Sequence, residues 1–287
     1  MTRPVVIRTL VRYRQGDGPG QPDQDLVAVE SPLTLRIQPP AGAPVSLGIL
    51  MRTPGDDEDL AVGALLAEGV IQSMADVQRV HVTIAPSGPT GSVGVGDEVV
   101  VDVAATARVD AAAGRGSAST SACGLCGRLE VLATDTSTAL STTRETPMVT
   151  AECLSAIPDQ LRATQAAFDD TGGLHAAGLF EADGTLRLVR EDVGRHNAVD
   201  KVAGALLRQQ AIPAATPVLA VSGRVAYEIV QKAARCGIPV ILAVGAPTDL
   251  AVDAARSAGI TLVGFAREGR FNVYTWPGRV VRNSPQP

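Results

Sequence analysis

The carboxyl-terminal half of this chain alternates short, almost wholly apolar runs with helical patterns, and this alternation limits the possible folds more than any other feature. Apolar runs begin at Val218, Val240 and Ile260, and helical patterns follow the first two, after Ser222 and after Pro247. Strands that are apolar on both faces need helices on both sides of the sheet, joined by right-handed crossovers. The pattern therefore predicts an α/β domain whose sheet is covered on both faces.

The amino-terminal half has shorter, alternating runs around one helix. Residues 33–37 and 98–103 alternate as strands do. Four carboxylates at 56–59 favour the start of a helix, because negative charge complements the exposed N–H groups there, and Gly69 suits the end of that helix. These signals predict a small mixed α+β unit.

Stretches rich in glycine, proline and serine separate these units, because such residues favour turns and loops. They divide the chain into five parts. We assign a flexible amino-terminal segment to 1–25, a small α+β domain to 26–110, a mobile arm and connection to 111–150, an α/β domain to 151–277 and a loose tail to 278–287.

Composition and charge argue against several classes of partner. The formal net charge of −5 opposes attraction to nucleic acid or to an anionic membrane surface. Apolar runs are too short to span a bilayer, and charge interrupts the first one too early for a secretory signal. Four cysteines in 287 residues do not make a disulfide framework. We expect a soluble, cytoplasmic protein with reduced thiols, no nucleic-acid partner and no membrane partner.

Two cysteines, Cys123 and Cys126, lie in a stretch of small residues. The preceding run at 111–120 has no apolar period, so we expect it to be an arm that is poorly ordered without a ligand. Two thiols at this spacing are compatible with a redox couple, with half of a zinc site, or with a carrier of reactive sulfur.

The surrounding sequence helps to weigh these three chemistries. A structural zinc site needs four ligands, but the remaining cysteines, Cys153 and Cys236, are isolated on apolar faces, and we predict no metal site. A redox couple is favoured when its first cysteine starts a helix directly after a strand, and the glycines around Leu125 do not provide that setting. Nucleophilic sulfur chemistry is the best physical fit. We expect Cys153 and Cys236 to be inert core residues.

Polar residues also cluster near predicted strand ends in the second half of the chain. His175 follows a glycine pair on a strand, and His196 begins a helix, which are positions where pockets form. Each histidine alone is compatible with a structural hydrogen bond. Together with Asp192, Arg195 and Lys201, they predict a polar pocket.

Three turns after predicted strands add small residues and positive charge at the same edge. These turns begin at Ser222, Gly245 and Phe265. Backbone N–H groups at helix starts and nearby arginines together suit a phosphate group, although ordinary capping explains any single turn. Several such turns on one edge favour an anionic, phosphate-bearing ligand. The positive charges that we expect to converge there are Arg195, His196, Lys201, Arg224, Arg267 and Arg270.

Five motifs in order between about residues 25 and 275 resemble the formate dehydrogenase accessory sulfurtransferase family, FdhD. They are Arg52-Thr-Pro-Gly-Asp-Asp57 with Leu66-Ala-Glu-Gly69, Ser121-Ala-Cys-Gly-Leu-Cys126-Gly127, Thr171-Gly-Gly-Leu-His175-Ala, Glu191-Asp-Val-Gly-Arg-His-Asn-Ala-Val-Asp-Lys201 and Phe265 to Arg270. The resemblance implies a sulfurtransferase in which Cys123 carries a persulfide received from a cysteine desulfurase. The sulfur passes to the molybdenum cofactor, which is inserted into formate dehydrogenase. We expect Cys126 to assist release of the sulfur, or to protect it, by attacking the persulfide.

The same resemblance implies a fold, a ligand and an assembly. The fold is a carboxyl-terminal cytidine-deaminase-like three-layer α/β/α domain with a smaller amino-terminal α+β domain, and the assembly is a homodimer. The ligand is bis(molybdopterin guanine dinucleotide), of which GDP is a fragment. The residues that we expect to bind it are Phe265, Ala266, Arg267, Glu268, Gly269 and Arg270, joined by Ser222 and His196 from the predicted pocket.

Two other functions fit parts of the pattern. A zinc nucleoside deaminase needs a His/Cys-x-Glu motif followed by Pro-Cys-x-x-Cys, but the Cys-x-x-Cys pair here lies upstream of the α/β domain and follows no proline. A non-catalytic chaperone that binds the molybdenum cofactor, with thiols that only clamp it, would keep the same arm and pocket. The sequence leaves this second alternative open.

Overall fold

The computed structural model describes residues 4–16, 20–85, 96–109, 149–212, 214 and 216–282. The strands are β1 (Val5–Arg12), β2 (Gln21–Ala28), β3 (Ser31–Gln38), β4 (Val45–Arg52), β5 (Val77–Thr83), β6 (Glu98–Val103), β7 (Val149–Thr150), β8 (His175–Phe180), β9 (Leu186–Asp192), β10 (Val218–Val221), β11 (Val240–Ala243), β12 (Thr261–Arg267), β13 (Arg270–Val273) and β14 (Val280–Val281). The helices are α1 (Asp57–Ala67), α2 (Ala151–Ala163), α3 (Ala166–Thr171), α4 (Arg195–Arg208), α5 (Tyr227–Arg235) and α6 (Asp249–Ser257), with short 3-10 helices at Met74–Asp76 and Pro277–Arg279.

A six-stranded sheet in the order β13-β12-β11-β10-β8-β9 forms the centre of the second half. Strands β10, β11 and β12 run parallel, whereas β8, β9 and β13 are antiparallel to their neighbours. Leu154 and Ile157 of α2 pack with Leu242 on one face of the sheet. Helices α4, α5 and α6 cover the other face, where Leu219 and Ile241 are fully buried. The predicted α/β sheet covered on both faces is therefore confirmed, and its antiparallel margins are the hairpins β8–β9 and β12–β13.

A smaller sheet in the order β4-β3-β6-β5 packs one face against α1. Helix α1 in turn crosses α4 at backbone contact. A Cβ at Gly63 would lie 1.9 Å from the carbonyl oxygen of Asp200, and a Cβ at Gly204 would lie 1.9 Å from that of Asp59. Since no side chain separates the two helices at the crossing, the amino-terminal unit and the larger sheet share one continuous apolar core.

Both ends of the described chain are more ordered than the sequence predicts. Residues 1–25 were expected to be flexible, but β1 and β2 form an antiparallel ribbon that pairs Val5 with Ala28, and Arg12 forms an ion pair with Asp23. Backbone pairing extends along the whole length of both strands, from Val5 opposite Ala28 to Arg12 opposite Gln21. This prediction was wrong for the described part of the segment.

The predicted loose tail is also wrong up to residue 282. Strand β14 pairs with β7, and the Arg279 side chain is buried. Its Nη1 donates to the carbonyl oxygen of Gly259 at 2.7 Å and to Oγ1 of Thr261 at 3.2 Å. These hydrogen bonds fasten the tail to the chain between α6 and β12. Among the described residues, no helix is long and apolar enough to cross a membrane.

Candidate functional site

The loops that follow β10, β11 and β12 lie side by side where these parallel strands end. The N–H of Gly245 donates to the carbonyl oxygen of Gly223 at 3.1 Å, and the N–H of Phe265 donates to that of Gly245 at 3.0 Å. A Cβ at Gly245 would lie 2.9 Å from the Gly223 oxygen, so the close approach requires glycine. We call these three loops, together with the starts of α4, α5 and α6, the strand-end edge.

Three helices begin at the strand-end edge, and two of them begin without a side-chain cap. Helix α4 follows Gly194 and helix α5 follows Ala226, and neither residue offers a side chain to the exposed N–H groups. Only α6 is capped by a side chain, since Oγ1 of Thr248 accepts from the N–H of Ala251. Uncapped helix starts carry partial positive charge, so this edge suits an anion.

A buried carboxylate holds the turn that leads into α4. Asp192 is fully buried at the end of β9. Its Oδ1 accepts from the N–H of Gly194 at 2.8 Å and from Nδ2 of Asn197 at 2.9 Å, and its Oδ2 accepts from the N–H of Thr53 at 3.1 Å. Because the turn is held on both sides of Arg195, the direction in which α4 starts is fixed.

Lys201 is not part of the strand-end edge, contrary to the prediction that its charge converges there. Its side chain is buried, with Nζ 2.8 Å from Oδ2 of Asp192, and it donates to the carbonyl oxygen of Thr53 at 2.9 Å. Burial of a lysine is tolerable only with such partners. The Lys201 ammonium group therefore links the amino-terminal unit, through Thr53, to Asp192 of the α/β domain. It does not face the strand-end edge.

A second buried network fixes the loop that carries Thr53. The Arg52 side chain is fully buried and forms 2.9 Å ion pairs with Asp57 and with Asp97. We call the set that links the amino-terminal unit to α4 and β9 the buried junction. Its members are Arg52, Thr53, Asp57, Asp97, Asp192, Asn197 and Lys201.

His175 lies at the strand-end edge, as predicted. It begins β8 opposite Asp192, and Ser222 fastens the neighbouring loop because its Oγ accepts from the N–H of Ala176 at 2.9 Å. A Cβ at Gly223 would lie 3.4 Å from Nδ1 of His175 and 3.7 Å from Cδ of Arg195, so both side chains lie beside Gly223.

The charge of His175 is set by its surroundings. Burial lowers the pKa of the imidazole, and the positive charge of Arg195 lowers this pKa further, while Asp192 acts in the opposite direction. The neutral form of His175 is therefore favoured at neutral pH.

Arg195 and His196 occupy the first turn of α4 in different settings. The Arg195 Nε is buried and has no hydrogen-bond partner among the described residues. His196 is 4 % exposed and lies between α4 and α5, with Nε2 3.9 Å from Oε2 of Glu228. Of these two predicted residues, Arg195 is thus the better placed to meet a ligand.

The segment from Phe265 to Arg270 forms the end of β12, a two-residue turn and the start of β13. Glu268 and Gly269 both have positive φ, as a tight hairpin turn requires. Arg267 pairs with Arg270 across the turn, and all four residues are exposed. The Arg270 side chain forms a 2.9 Å ion pair with Glu268.

A bulge before this turn separates the roles of Phe265 and Ala266. The strand register shifts between Gly264 and Arg267, and Phe265 has a φ of 54°. Its ring is 39 % exposed, whereas Ala266 is buried in the core on the α2 face of the sheet. The bulge therefore presents an aromatic ring outwards, and the Ala266 side chain serves packing.

Sequence reasoning missed Thr53, which accepts from the N–H of Val193 at 3.1 Å as well as contacting Asp192 and Lys201. More than 130 residues separate Thr53 from these partners, so no local pattern could reveal the contacts. The predicted thiols, Cys123 and Cys126, and most of the predicted arm lie outside the described residues. Within the described ranges, no group of three or more His, Cys, Asp and Glu side chains is placed to hold a metal ion.

Comparison with known proteins identifies the family. The model of the FdhD/NarQ family matches residues 28–281. The chain belongs to this family. A protein of Streptomyces coelicolor is 47 % identical over 95 % of this chain and 94 % of its own length, and one of Sulfolobus acidocaldarius is 39 % identical over 96 % and 98 %. Both relatives are called sulfur carrier protein FdhD.

A solved structure agrees with the fold of this FdhD/NarQ family member. It is that of a protein from Desulfotalea psychrophila described as a formate dehydrogenase accessory protein. The TM-score is 0.68 at 23 % identity, and the match covers 97 % of this chain and all of the other. At that identity the likeness supports the mixed α/β fold.

Proposed function

We propose that the protein is a sulfur carrier, a sulfurtransferase that serves formate dehydrogenase. The observation that carries the proposal is membership of the FdhD/NarQ family over residues 28–281, together with relatives of 39–47 % identity called sulfur carrier protein FdhD. The Cys-x-x-Cys pair at 123 and 126 supplies the thiols that such a role needs.

In the proposed cycle, Cys123 is loaded by a cysteine desulfurase. The Cys123 thiolate attacks the outer sulfur of the donor persulfide, and the donor thiolate leaves. The Cys126 thiolate then attacks the inner sulfur of the Cys123 persulfide, which forms a Cys123–Cys126 disulfide and releases hydrosulfide. The two electrons that reduce the carried sulfur come from the two thiols, so a reductant of the thioredoxin class must restore them.

The acceptor in this proposal is the molybdenum cofactor, bound as bis(molybdopterin guanine dinucleotide). The uncapped starts of α4 and α5 and the Arg195 side chain suit its phosphates, and the exposed ring of Phe265 can stack on a guanine base. Arg267 and Arg270 add positive charge on the adjacent hairpin. We further infer that the six-stranded sheet and its two helical layers have the cytidine-deaminase-like arrangement.

Mass spectrometry tests the proposed loading step. The protein is incubated with a cysteine desulfurase and cysteine, and peptides are then searched for the added mass of one sulfur atom. We expect the addition on Cys123, its loss in Cys123→Ala, and its survival in the control Cys153→Ala. A protein that stays unmodified while it binds the cofactor would favour the non-catalytic chaperone.

The family resemblance also supports a homodimer in the cytoplasm. Sedimentation velocity of the purified protein tests the assembly, since a dimer doubles the mass of the sedimenting particle. A monomer at micromolar concentration would contradict this part of the proposal.

A further inference from the structure

In the part of the chain that the structure describes, Arg195 lacks a counter-ion, whereas the buried charges of Arg52 and Lys201 are paired. Among the described residues, no carboxylate lies within ion-pair distance of its guanidinium, and its Nε is buried without a hydrogen-bond partner. The buried carboxylate of the preceding turn, Asp192, is already satisfied by Lys201 and by three hydrogen-bond donors. A partly buried guanidinium without a partner costs free energy, so the arrangement is completed by an anion from outside.

The His175 imidazole lies beside the same unpaired charge. Both side chains border the position that a Cβ of Gly223 would fill, and the uncapped start of α4 lies next to them. The charged groups facing the imidazole are Asp192 from β9 and Arg195 from α4. From the loop after β10, Ser222 and Gly223 carry no charge, and Arg224 further along that loop is exposed.

We propose that His175 and Arg195 form an anion subsite for a phosphate group, and that the imidazole takes up a proton when the phosphate binds. Without the anion, burial and the nearby guanidinium oppose protonation of His175. A bound phosphate reverses the local charge, so the imidazolium becomes favourable and donates a second charge-assisted hydrogen bond. Phosphate binding and proton uptake are therefore linked, and affinity falls as pH rises above the imidazole pKa of the free protein.

The inference rests on the proposed function for the choice of ligand, since GDP is a fragment of the proposed cofactor. It adds a pH dependence to that function, because the ligand is released more readily as pH rises. Persulfide loading of Cys123 does not enter the argument, so the two proposals fail separately. A protein that is never loaded with sulfur can still show proton-linked phosphate binding, and a loaded protein can lack it.

Calorimetry with GDP in buffers of different ionisation enthalpy measures the proton uptake. At pH 7.5 we expect wild-type protein to take up a fraction of one proton per GDP bound, and His175→Gln to take up less. Because a terminal phosphate itself titrates near pH 6, the difference between the two proteins is the decisive quantity. His81→Gln is the matched control, since His81 is exposed on β5 beside Asp102. It should behave as wild type.

Nuclear magnetic resonance of the wild-type protein gives a second test, which does not depend on whether a variant folds. The chain contains three histidines, so their ring resonances can be followed individually against pH. The His175 resonance should titrate below the ordinary pH range of histidine in the free protein, and its titration should shift to higher pH with GDP.

Arg195→Gln should weaken GDP binding about tenfold or more. Equal proton uptake in wild type and His175→Gln, an unmoved His175 titration, or undetectable GDP binding would each overturn the inference.

Discussion

The buried junction and the strand-end edge both concentrate charged residues, but they use them in opposite ways. In the junction, Arg52 and Lys201 each meet a carboxylate at 2.8–2.9 Å out of contact with water. At the edge, Arg195 has no carboxylate partner among the described residues, and two helices start without a side-chain cap. Paired charge indicates that a region holds the molecule together, whereas unpaired charge indicates that a region is incomplete without a ligand.

Asp192 connects the two regions, because it belongs to the junction and sets the turn that places Arg195. Its carboxylate lies at the end of β9, directly opposite His175. The position of Arg195 at the strand-end edge therefore depends on hydrogen bonds that the amino-terminal unit supplies through Thr53. The same two units also share an apolar core, so they are held together by polar and apolar contacts alike.

The sharpest contrast between the regions is expected on removal of one positive charge from each. Lys201→Met leaves the Asp192 carboxylate buried without its counter-ion, so it should lower the free energy of unfolding by about 3–5 kcal/mol. Arg195→Gln removes a charge that has no carboxylate partner among the described residues, so it should not lower the free energy of unfolding by more than about 0.5 kcal/mol. Urea unfolding measures both. Equal losses of unfolding free energy in the two variants would contradict the distinction between a paired charge in the buried junction and an unpaired charge at the strand-end edge.

The helix crossing below the junction gives the next largest effect. Gly63→Ala places a methyl group against the backbone of Asp200, which cannot move without shifting α4, so about 3 kcal/mol or more of stability should be lost. Gly278→Ala is the matched control, because nothing lies within 4 Å of the added methyl group. A Gly63→Ala protein as stable as this control would mean that α1 and α4 do not cross so closely.

At the strand-end edge, a surface arginine should matter for ligand binding and little for stability. Arg270→Ala should weaken GDP binding by about 1.5–3 kcal/mol, because hydrogen bonds from a guanidinium to phosphate are charge-assisted. Its ion pair with Glu268 is exposed and should contribute little to folding. Arg256→Ala removes another exposed ion-paired arginine and serves as the control. Unchanged binding in Arg270→Ala would move the phosphate site away from this hairpin.

Local patterns predicted the strand-end edge better than they predicted the junction. The apolar runs at β10, β11 and β12 follow from the pattern of apolar residues, and the structure confirms them as strands. The helix at α1 likewise begins within its run of carboxylates and ends just before Gly69. Each of these signals lies within a few residues of the element that it specifies.

Long-range contacts account for what the sequence did not predict. Lys201 was predicted to contribute to the polar pocket because it lies close in sequence to Asp192 and His196, but its buried ammonium group forms an ion pair with Asp192. The tail is held by Arg279, whose partners lie about 20 residues away. Such partners become visible only when the fold brings them together.

Activation of formate dehydrogenase tests the sulfur-carrier proposal most directly. A bacterial host without its own FdhD protein is supplied with wild type, Cys123→Ala or Cys153→Ala, and formate dehydrogenase activity is measured beside the melting temperature of each purified variant. The account predicts full activity with wild type and Cys153→Ala, and none with Cys123→Ala at a nearly unchanged melting temperature. An active Cys123→Ala protein would contradict the assignment of Cys123 as the sulfur carrier.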